Sequence, residues 1–167
     1  MLNKKHLLLL VVAFQFFILT GVYAKAQLPL WTGLEVRVKT IPRDPRSLFR
    51  GNYARLNYAF SSIPRIHLGS ESAIRIGEIV YISLQKNADM LYEYASASLV
   101  KPRDGVFIRG RVTSVRSDKV HIHYGIDAYF APKQEALRLE KQLRSGALAV
   151  LMVTSAGQAG LKEIVSP

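Results

Sequence analysis

From Leu7 to Ala24 the chain reads LLLLVVAFQFFILTGVYA, eighteen residues without a charge, preceded by Lys4, Lys5 and His6. No other segment limits the fold as strongly. At about 1.5 Å per residue a helix of this length covers roughly 27 Å, close to the hydrocarbon thickness of a bilayer. Gln15 is its one strongly polar side chain, and a single amide is tolerated or paired with a neighbouring helix. A cleaved signal peptide is the competing reading, because Ala24-Lys25-Ala26 has the small-x-small form of a cleavage site. Secretory apolar cores usually run about 7–15 residues, however, and a lysine between the alanines fits poorly. The expected organisation is therefore a cytoplasmic N-terminus over 1–6, a transmembrane anchor over 7–24, a linker over 25–33 and an exported domain over 34–167. Lys4 and Lys5 would hold the N-terminus inside a bacterial inner membrane, with the domain in the periplasm.

The length of 167 residues suits one domain beyond such an anchor. The absence of cysteine fits an exported domain that needs no disulfide. Of the 23 Lys and Arg, all but Lys4, Lys5 and Lys25 lie in that domain with all 12 acids, giving it a formal charge of +8. Arg37, Lys39, Arg43, Arg46, Arg50 and Arg55 face Asp44 alone, a local +5 close in sequence to the anchor. One reading is a solvated face. The other is attraction to anionic lipid headgroups, with Arg43, Arg46, Arg50 and Arg55 as an anion-binding group. Nucleic acid is not an expected partner of an exported protein.

The domain patterns as strands. LEVRVKT alternates, with Leu34, Val36 and Val38 on one face and Glu35, Arg37 and Lys39 on the other. IPRDPRSLFRG, with two prolines and a glycine, is a loop. YARLNYAF alternates again, placing Ala54, Leu56, Tyr58 and Phe60 together, and SSIPRIHLGSESAIRIG is irregular. EIVYISLQ and LYEYASASL form a hairpin, and VFIRGRVTSV and KVHIHYG form a second pair. Pro132, Ala136, Leu137, Leu139, Leu143 and Gly146 outline one helix in the C-terminal half. ALAVLMVT is apolar throughout, as a central strand would be, and LKEIV closes the chain. The fold class expected is α+β, mainly antiparallel β with that one helix, behind a single N-terminal membrane helix.

Candidate chemistry is sparse. His121 and His123 share a strand face, as metal ligands often do, but sit opposite the apolar Val120, Ile122 and Tyr124 with no acid nearby to complete a site. Ser47 near an anchor invites comparison with Ser-Lys peptidases, which need a lysine made basic by burial. Lys39, Lys86, Lys101 and Lys119 all stand beside turns or on polar strand faces. Neither a phosphate-binding loop nor a nucleophile elbow is present. No metal, cofactor or catalytic residue is expected.

The segment FRGNYARLNY, from Phe49 to Tyr58, resembles the motif of the GDYXXLXY family, with Gly51, Tyr53, Leu56 and Tyr58 matching and Asn52 standing where the motif has Asp. DPRSLFRG, IRGRV and YGIDAYFAP resemble further family blocks in the same order, so the likeness covers nearly the whole chain. It implies a bacterial protein with one N-terminal membrane helix and a mostly-β exported domain of unassigned activity. It also implies a multi-spanning membrane protein as partner. A weaker likeness, to the β domain of membrane signal peptidases, concerns fold alone. Asn and Asp can both accept a hydrogen bond from backbone N–H groups two residues on, but only Asp can act as acid or base. The substitution favours a structural role: Gly51 supplies unusual backbone angles, Asn52 caps the turn, and Leu56 and Tyr58 enter the core. A binding surface made by Tyr53 and Arg55 is the alternative. Three functions follow: a non-catalytic accessory module for an envelope component, a tethered serine hydrolase using Ser47, or an adaptor for anionic lipid or glycan.

Overall fold

The computed structural model describes residues 4–41, 53–69, 74–130 and 146–165. The helix α1 (Lys4–Thr32) leads into β1 (Leu34–Lys39), β2 (Tyr53–Arg55) and β3 (Ser62–Pro64). The two hairpins follow as β4 (Ile79–Lys86) with β5 (Tyr92–Ser98) and β6 (Val106–Val115) with β7 (Lys119–His123). The strands β8 (Ala128–Phe130), β9 (Leu148–Val153) and β10 (Ala159–Val165) complete the described chain. Every strand pairing is antiparallel, so the fold is mainly antiparallel β behind an N-terminal helix. The helix expected after Pro132 lies outside the described residues.

The sheets are β1-β9-β10, β2-β8 and β3-β7-β6-β4-β5. They share one core: Val36 and Val38 from β1, Val80 and Ile82 from β4, Ile108 and Val112 from β6, and Ala149 and Leu151 from β9. β9 lies between β1 and β10 and is buried on both faces, which explains why its sequence does not alternate. An isolated bridge from Thr40 to Tyr58 ties the end of β1 to the chain leaving β2.

Four details differ from the sequence reading. The segment expected to be a linker is the last part of α1, which runs unbroken to Thr32. Pro29 cannot donate to the helix ladder, but it is buried where the helix end meets the domain. A Cβ on Gly160 of β10 would lie 3.2 Å from Pro29 Cβ and from Leu30 Cδ2, so the missing side chain lets the helix seat there. The irregular stretch after Phe60 contains the edge strand β3, where Pro64 is tolerated because one side of the strand is unpaired. β8 went unrecognised in the sequence. Leu34, patterned as a core residue, is 55% exposed at the foot of α1.

Candidate functional site

Among the described residues β2 pairs with β8: Tyr53 faces Phe130, Ala54 faces Tyr129 and Arg55 faces Ala128. The Leu56 N–H continues the contact, donating to Asp127 O at 2.9 Å. The chain then turns away, yet the alternation persists in burial, with Leu56, Tyr58 and Phe60 all in the core. The Tyr58 hydroxyl donates to Ile126 O at 2.9 Å, and the Tyr124 hydroxyl donates to Phe60 O at 2.6 Å. The Tyr58 and Phe60 rings stack at 5.2 Å, and Tyr124 meets Phe60 edge-on at the same separation. Each segment thus places a tyrosine on a backbone carbonyl of the other. Burial pushes both phenols above the ordinary tyrosine range, and the Asp127 carboxylate adds to the effect.

Asp127 organises the second segment. Its Oδ2 accepts from the backbone N–H groups of Tyr124 and Gly125, both at 3.2 Å, and lies 2.8 Å from His123 Nδ1. Gly125 has φ +79, a conformation that favours glycine. A cleft of about 270 Å³ opens beside this turn, between Asn57, Ser61, Thr113, His121, His123 and Asp127. The Ser61 hydroxyl accepts from the Tyr58 N–H at 3.0 Å, and the Thr113 hydroxyl donates to His121 O at 3.2 Å. Among the described residues no three metal-ligating side chains converge. The acid thought absent near His121 and His123 is Asp127, four residues beyond His123, but its carboxylate is engaged with the backbone turn.

Of the motif residues, Leu56 and Tyr58 sit together in the core, as their alternation implies. Tyr53 and Arg55 lie on β2, where the backbone pairing places them opposite β8. Gly51, Asn52, Arg43, Arg46, Arg50 and Ser47 lie outside the described residues. Sequence reasoning placed Phe60 on the face of Leu56 and Tyr58 but overlooked Tyr124, Ile126 and Asp127 as partners of the motif. The signal was present in Tyr-Gly-x-Asp, a positive-φ glycine followed two residues later by a side chain able to cap the turn.

The contact therefore joins the motif to the YGIDAYFAP block. The sequence profile of the family described as GDYXXLXY protein matches residues 15–164. The chain belongs to the GDYXXLXY family. No curated protein matches it, and no solved structure does. In this GDYXXLXY protein, the second half of the motif that names the family is a packing element, and its last tyrosine is a buried strut.

Proposed function

We propose that this GDYXXLXY protein is a bitopic inner-membrane protein whose extracytoplasmic β domain is a non-catalytic accessory module for a membrane partner. The observation that carries the proposal is the way α1 joins the domain. Its apolar stretch is long enough to cross a membrane and exposes its side chains on every side. Its last turn, by contrast, is wedged into the domain: a Cβ on Gly33 would lie 2.7 Å from Met152 C and from Val153 N. A helix that only tethered would need no such seat. This one fixes the orientation of the domain relative to the bilayer, while leaving its apolar flank free for another transmembrane helix. Gln15, mid-helix, is the group such a helix would pair by hydrogen bonding.

The test is purification of the full chain from native membranes in mild detergent. A stoichiometric multi-spanning membrane protein is expected, with less of it retained by Gln15→Leu. Elution of the protein alone across several mild detergents and after in-membrane crosslinking would overturn the reading.

A further inference from the structure

At about 1.5 Å per residue, the 29 residues of α1 span about 44 Å, matching the roughly 40–45 Å of a bilayer counted through both headgroup layers. With Lys4 at one surface, Thr32 reaches the other. A cleft of about 430 Å³ opens at that point, lined by Thr32, Leu34, Gly105, Phe107, Thr154 and Ser155. The side chains around it are of two kinds. Trp31, 64% exposed, and Leu34 are apolar groups left outside the core beside the helix exit, and tryptophan settles at headgroup depth. The second kind are hydroxyls and cations. Thr154 Oγ1 accepts from the Gln158 N–H at 3.1 Å, which leaves its own proton to donate, and Ser155 is exposed. Lys101 holds its ammonium 5.8 Å from the centroid of Phe107, a wall of the cleft, and Arg103 stands two residues before Gly105. Asp104 is the one acid in that loop. The Phe107 wall is itself fixed, since a Cβ on Gly157 would lie 2.7 Å from its ring.

We infer that this cleft holds the phosphodiester headgroup of an anionic glycerophospholipid from the leaflet into which α1 emerges. The inference rests on α1 crossing the bilayer, as proposed above. The hydroxyls of Thr154 and Ser155 donate to phosphate oxygens, Lys101 and Arg103 supply the opposing charge, and Trp31 sits beside the glycerol linkage at headgroup depth. α1 brings the cleft to headgroup level, where bilayer lipids supply phosphate at a far higher local concentration than any soluble ester, which is why a bilayer lipid is the occupant.

Trp31 is the only tryptophan in the chain and adjoins Thr32, which lines the cleft, so its fluorescence reports the lipid at this end of α1. The full-length protein is reconstituted in phosphatidylcholine vesicles carrying equal mole fractions of either brominated phosphatidylglycerol or brominated phosphatidylcholine. Quenching should show the anionic lipid enriched at Trp31 on the order of five-fold, the equivalent of about 1 kcal/mol from one well-held cation. Lys101→Glu with Arg103→Glu should abolish the preference. Ser155→Phe, which fills the cleft without altering charge, should reduce it. Reversing Arg43, Arg46 and Arg50 to Glu should leave it in place. Equal quenching by the two lipids in the parent protein would overturn the site and leave the membrane anchor standing. A preference that survives Ser155→Phe would mean diffuse surface attraction, and one lost only on reversing Arg43, Arg46 and Arg50 would put the lipid elsewhere. Either result overturns the site. Absence of quenching by both lipids would overturn the crossing helix with it.

Discussion

The hydroxyl of Tyr58, 1% exposed, donates to the carbonyl of the fully buried Ile126. Tyr58→Phe keeps the stacked ring but strands a buried carbonyl, so it should cost about 1–3 kcal/mol in urea denaturation. Leu56→Ala removes most of a side chain that is 3% exposed and should cost about 2–5 kcal/mol. Asn52→Asp preserves an accepting oxygen and should cost least. A larger loss for Asn52→Asp than for Leu56→Ala would contradict a packing role for the motif. The same tyrosines predict a pH dependence. Burial raises the pKa of Tyr58 and Tyr124 above the ordinary 10.0. Below that value both states keep the phenolic protons, and the full stability is present. Above it the unfolded chain releases them while the folded chain retains them, so stability falls as pH rises, by up to about 1.4 kcal/mol per pH unit for each tyrosine. Denaturation midpoints should drop above about pH 10, and the Tyr58→Phe, Tyr124→Phe double variant should lose most of that slope.

Among the elements, long periodic segments could be read from sequence and short ones could not. β1, β4, β5, β6, β7, β9 and β10 follow from alternation or sustained apolarity, because each presents a face to one core over five residues or more. β3 has three residues, too few to show a period, and forms an edge of its sheet beside β7. The buried half of the motif was legible for the same reason: Leu56 and Tyr58 keep a two-residue period. Its partners were not, because Tyr124 and Asp127 lie some seventy residues on and nothing local announces the contact. The junction of α1 misled most. QLPLW reads as a linker because proline usually ends helices, whereas tertiary contact with β9 and β10 carries this helix past it. Gly33→Ala tests that contact. The added Cβ would lie 2.5 Å from Pro29 O as well as against β9, and relieving such overpacking should cost about 1–3 kcal/mol. Hydrogen exchange should rise in Leu28–Thr32 and β10 but not in β6. Unchanged protection at the helix end would mean that the seat contributes nothing to coupling.

For the whole molecule, the junction bears on topology and processing together. In the topology proposed above, Lys4 and Lys5 before the apolar stretch hold that end in the cytoplasm, while a long domain translocates largely regardless of its own charge. A reporter active only in the periplasm should therefore be active when fused after Pro167 and silent when fused before Lys4. The alternative fate, cleavage after Ala26, would export the same domain, so the reporter alone does not separate the two. The structure supplies the difference. Ala24-Lys25-Ala26 lies inside the continuous helix α1, and a protease that takes its substrate extended would first have to unwind it. Cutting there would leave Gln27–Thr32, less than two turns and too short to persist as a helix without support, with Pro29 and Leu30 still packed at Gly160. The full-length chain should consequently stay with the membrane after carbonate washing, and N-terminal sequencing should find Met1 or a residue next to it. A soluble species beginning at Gln27, as abundant as the membrane form, would show that the helix is removed. The domain would then act free in the periplasm, without the orientation that its seat on β9 and β10 provides.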